Sequence, residues 1–110
     1  LLMLAECELK GVNCGGKAAF DKVRARAGMP AIELNAENLL EARGRELSLE
    51  GWRRSDLVRF GKFTSDSFVW QWKGGVKDGQ GCPAHMALFP IPDSDRYANT
   101  NLEQNPGYGA

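Results

Sequence analysis

Glu46 and Glu50 stand four residues apart in the run Arg45 to Gly61, R-E-L-S-L-E-G-W-R-R-S-D-L-V-R-F-G. Two carboxylates on one helical face are the kind of pair that acid–base hydrolysis of a glycosidic bond uses. Their neighbours oppose that chemistry. Arg43, Arg45 and Arg53 lie beside them, and cations favour the ionised carboxylate, whereas a general acid must hold its proton. Arg43, Glu46, Glu50 and Arg53 recur at steps of three and four, and Arg53, Asp56 and Arg59 continue the series. On a continuous helix such residues pair along one face. The expectation is a structural ion ladder, and no catalytic residue is assigned.

Trp70 and Trp72 are the candidates for sugar contact, because indole faces receive the apolar faces of pyranose rings while polar neighbours bond the hydroxyls. Phe68, Trp70 and Trp72 alternate with Val69, Gln71 and Lys73, the period of a short extended segment with three aromatics on one side. The expected fate of the two tryptophans is packing beneath a strap carrying Phe89, with a glycan platform as the alternative. His85, the single histidine, falls in a loop beside Pro83 and reads as a surface residue. Cys7, Cys14 and Cys82 form no C-x-x-C and no Cys/His cluster of zinc-like spacing. Free thiols are expected, with a Cys7–Cys14 or Cys14–Cys82 disulfide as the alternative. No metal and no cofactor is implied.

The elements that must position these residues follow from periodicity. Leu1 to about Lys10 places Leu2, Ala5 and Leu9 on one face and breaks at Gly11. Lys17 to Ala27 follows, with Ala19, Phe20, Val23 and Ala27 inward and Lys17, Asp21, Lys22, Arg24 and Arg26 outward. Gly28 ends it and Pro30 bars continuation. Residues 1–28 thus predict an antiparallel helical hairpin of tetratricopeptide type, which needs neighbours to bury both faces. Asn35 is placed to cap a third helix carrying Leu39, Leu40 and Leu47, and a bend or change of helix is expected near Gly51. Residues 35–61 make this signature region. Residues 62–110 read as turns and an extended strap, Leu88-Phe89-Pro90-Ile91-Pro92, with one helical turn at Ser94 to Tyr97 and an Asn-rich tail that Leu102 and Tyr108 can anchor. The fold class is mostly α.

The 110 residues carry 14 basic and 14 acidic side chains, so no electrostatic footprint points to nucleic acid or to an anionic membrane surface. A hydrophobic share of 43% permits a core. Leu1 to Ala5 lacks a basic leader and meets Glu6, so it reads as helix rather than signal peptide. With neither initiator Met nor N-cap, the chain is expected to be a fragment that begins upstream, marginally stable alone and weak in glycan binding by itself.

Several segments, in order, resemble the C-terminal region of the SusD/RagB family. L-L-M-L-A-E with K-V-R-A-R-A-G resembles its last tetratricopeptide-like unit. Arg43, Arg45, Glu46, Leu47, Glu50, Gly51, Arg53, Asp56, Leu57, Arg59 and Gly61 match its E-R-R-x-E-L-x-x-E-G-x-R-x-x-D-L-x-R-x-G signature. W-Q-W-K-G-G, L-F-P-I-P and N-T-N-L-E-Q-N-P-G-Y resemble later family segments, with departures at Ala42, Gly44 and Thr100. The resemblance implies a non-catalytic, surface-exposed outer-membrane lipoprotein that binds oligosaccharide or polysaccharide and delivers it to a SusC-like TonB-dependent transporter. Its membrane contact would be an N-terminal lipid anchor not present in this chain. The alternative, from the hairpin alone, is a tetratricopeptide-type protein-interaction scaffold without a sugar ligand.

Overall fold

The computed structural model describes residues 1 to 109. Five α-helices are present among them and no strand: α1 (Leu2–Leu9), α2 (Gly16–Arg26), α3 (Ala36–Glu46), α4 (Arg53–Arg59) and α5 (Asp93–Ala98). Contacts within the chain separate Leu1–Phe60, which holds α1 to α4, from Gly61–Ala110.

In the first unit, α1 and α2 form the hairpin that the spacing predicts, and α3 packs against α1. Leu2 and Ala5 from α1, Phe20 and Val23 from α2, and Leu39 and Ala42 from α3 form one apolar cluster, with Phe20 and Leu39 fully buried. At about 25 cal/mol per Å² of apolar area, side chains of this size give such a cluster most of its stability. The start of α2 is satisfied from across the hairpin. Glu8 accepts hydrogen bonds from the Gly16 and Lys17 backbone N–H groups, two of the donors that a helix start leaves without an internal partner. Two positions of α2 are reversed from expectation. Arg24 is buried, with its Nε donating to Pro30 O at 2.6 Å, and Ala27 is exposed. The carbonyl of the turn after α2 gives Arg24 an inward partner, which helical periodicity alone does not reveal.

Asn35 caps α3 as expected, its side-chain oxygen accepting from Asn38 N at 2.8 Å. The signature run is not one helix. It breaks after Glu46 into a turn in which Leu49 (φ 64) and Gly51 (φ 79) adopt left-handed backbone, then resumes as α4. Gly51 enters that region without strain, whereas Leu49 does so at a cost and leaves its side chain fully exposed.

The second unit is mostly turns. Leu88 to Ile91 is extended around its prolines, and its polar partners are in the closing tail. Ile91 exchanges bonds with Gln104 (N to Oε1 2.8 Å, Nε2 to O 2.9 Å), Asn105 Nδ2 donates to Phe89 O at 2.7 Å, and Tyr108 Oη donates to Leu88 O at 2.6 Å. Tyr108 is therefore an anchor, by its hydroxyl as well as its ring, while Leu102 remains partly exposed.

Candidate functional site

The ladder of the signature run is rebuilt in three dimensions. Because the chain turns between α3 and α4, Arg43 faces Asp56 rather than Glu46 or Glu50, with Arg43 Nε 2.9 Å from Asp56 Oδ2 and both side chains at most 5% exposed. That contact is an ion pair outside hydrogen-bond geometry. Arg59 then joins Asp56 (2.7 Å) to Glu6 of α1 (2.8 Å), the Asp56–Arg59 step being the i, i+3 contact that the spacing predicts. The Arg59 hydrogen bond holds the Glu6 carboxyl below its usual range, against the opposing effect of burial. The same bond to Glu6, with that to Asp56, raises the Arg59 guanidinium above its ordinary value.

The remaining signature residues depart from the expected single face. Glu46 pairs with Arg26 of α2, Arg45 reaches Glu41 at 3.4 Å on the surface, and Glu50 lies exposed in the turn. Arg53 Nη1 donates to Leu40 O at 2.7 Å. It does so through the space above Gly44, where a Cβ would lie 2.8 Å from that same nitrogen. Gly44 is thus a close-approach glycine, which accounts for its place inside a helix.

Trp70 and Trp72 belong to the second unit, and neither sits in a strand. Trp70 is 45% exposed and Trp72 66%, while Phe89 is itself 68% exposed. The expected packing beneath the strap is therefore not found within this chain. The alternation fails because Trp72 takes left-handed backbone (φ 68) and starts a short 3-10 turn, Lys73–Gly75. That reversal sends Lys73 inward. It is 2% exposed, and its Nζ donates to Lys62 O (2.8 Å), Ser65 O (2.9 Å) and Phe68 O (2.5 Å). The ammonium lies 5.2 Å from the Trp70 ring centroid, and Phe68 meets that ring edge-on at 6.2 Å. Lys73 appears in the sequence reading only as a polar neighbour of the tryptophans. The signal that marks it is the Gly74-Gly75 pair that follows, which permits the tight turn.

His85 is half-buried rather than on the surface, its ring edge-on to Tyr108 at 4.8 Å. All three cysteines are free thiols. Among the described residues no group of three or more potential ligands gathers for a metal, and no helix is long and apolar enough to cross a membrane.

A mostly helical scaffold with a tetratricopeptide-like hairpin, locked by a buried arginine–aspartate pair and followed by a turn-rich unit closed on its own tail, is the class defined here. The SusD family model matches residues 1–108, and the chain belongs to that family. It is 41% identical over 116 aligned residues to the starch-binding protein SusD of Bacteroides thetaiotaomicron, an alignment that covers 98% of this chain and 21% of that protein. The chain therefore spans about a fifth of the length of the relative that it matches.

Proposed function

We propose that these residues form the C-terminal part of a longer, non-catalytic glycan-binding subunit. That subunit is anchored by an N-terminal lipid to the outer membrane, exposed at the cell surface, and hands oligosaccharides to a SusC-like TonB-dependent transporter. The observation that carries the reading is the 41% identity, along 98% of the chain, to a protein named for binding starch. Exposed indoles at Trp70 and Trp72 are consistent with it, since flat apolar faces open to solvent are what a pyranose ring stacks upon.

The test is isothermal titration of the full-length polypeptide with maltoheptaose, a soluble fragment of starch, together with co-purification from outer-membrane extracts. Saturable binding that weakens about tenfold in a W70A/W72A double variant is expected, the loss of one good aromatic contact. Absence of binding to maltoheptaose and to a panel of other polysaccharides overturns the reading. Recovery without any TonB-dependent transporter overturns the delivery role.

A second reading is favoured by one observation in the first unit. A cavity of about 390 Å³ is lined chiefly by Leu1, Leu2, Met3, Val23, Leu47 and Trp52. Such an apolar groove beside an exposed Met3 suits a helical protein-interaction scaffold without a sugar ligand. Titration separates the two, because the scaffold reading predicts no response to any glycan.

A further inference from the structure

We propose that Lys73 is the positioning residue of the aromatic surface. Its ammonium gathers the carbonyls of Lys62, Ser65 and Phe68 and so fixes the orientation in which Trp70 presents its ring to a sugar. The inference rests on the proposed stacking role of Trp70.

The three N–H donors of the ammonium are all directed to backbone oxygens, at 2.8, 2.9 and 2.5 Å. A buried ammonium is costly unless fully hydrogen-bonded, and an apolar side chain would fill the same space without that demand. What the lysine adds is geometry. Residues 62, 65 and 68 have no helix or strand to hold them, and one side chain ties the three together.

The backbone of Lys73 grips the same loop from its other end, its N–H donating to Trp70 O at 3.1 Å. Trp70 is thereby held at its main chain, at its ring by the ammonium 5.2 Å from the centroid, and at its edge by Phe68. Gly79 presses on it as well, since a Cβ there would lie 2.2 Å from Trp70 O. The left-handed backbone of Trp72 is part of the same arrangement. It is a strained conformation for a large residue, and it lets residue 72 stay exposed while residue 73 turns inward.

The test uses the full-length polypeptide labelled with 5-fluorotryptophan, with the Trp70 fluorine resonance assigned from a W70F variant. In K73M that resonance should shift and broaden, and the maltoheptaose dissociation constant should rise about tenfold, as expected for losing one ordered aromatic contact. In K73A, added propylammonium should restore both. Tetramethylammonium, a cation with no N–H donor, should restore neither.

An unchanged Trp70 resonance in K73M overturns the proposal, as does equal rescue by tetramethylammonium. A variant that also loses the Trp52 resonance shows Lys73 serving folding at large rather than Trp70, and overturns it too. Failure of the stacking role is separable. If W70A binds maltoheptaose normally while K73M still displaces the Trp70 resonance, the glycan assignment falls and the control of Trp70 by Lys73 stands.

Discussion

At the scale of single residues, Arg43 and Asp56 matter for the asymmetry between losing one and losing both. They are 5% and 1% exposed. Asp56→Ala leaves the Arg43 cation buried with its nearest partner gone, an outcome that costs about 3–5 kcal/mol, whereas replacing both by well-packed apolar residues is near neutral. Urea unfolding should show D56A far less stable than R43M/D56L. Equal losses would show that the pair is not the closure of the first unit. Glu6 gives a pH signature of definite sign. Its folded-state affinity for protons is lowered by Arg59, so its stabilising contribution is full above the unfolded value of about 4.3 and fades as pH falls through the lower folded value. The stability gap between the native chain and Glu6→Gln should accordingly shrink from about pH 6 to about pH 3 in urea titrations. A gap independent of pH would show that the carboxyl's charge contributes nothing.

At the scale of elements, the signature run shows what periodicity can and cannot tell. Its change of helix near Gly51 is legible because glycine is a poor helix former, and the Asn35 cap is legible from residue type. The pairing of charges was not, since Arg43–Asp56 and Glu46–Arg26 depend on how α3 meets α4 and α2, and spacing along one helix carries no such information. Leu49 was misplaced for the same reason, its apolar type fitting a helix that the turn interrupts. Gly44 and Arg53 provide the sharpest test at this scale. An exposed helix glycine changed to alanine usually stabilises by about 1 kcal/mol, but here the new methyl displaces an arginine bonded to Leu40 O. G44A is expected to destabilise by about 1 kcal/mol alone and to stabilise by about the same amount in an R53A background. A thermal-unfolding cycle that gives additive effects would refute the close approach.

At the scale of the whole molecule, the mostly α class, the hairpin and the helical turn at Asp93–Ala98 were all open to the sequence, because each rests on local pattern and turn chemistry. The exposure of Trp70 and Trp72 was not, since alternation assumes a strand and the chain forms none among the described residues there. What replaces the strand is a loop closed by one ammonium on three carbonyls, the task that many proteins give to a bound metal ion. A free ion leaves on dilution or is removed by a chelator. One carried on a flexible stem of the same chain has an effective concentration that the medium cannot change. The loop beneath Trp70 is accordingly indifferent to the mineral content of its surroundings, a useful property for a surface that works outside the cell's own ionic control.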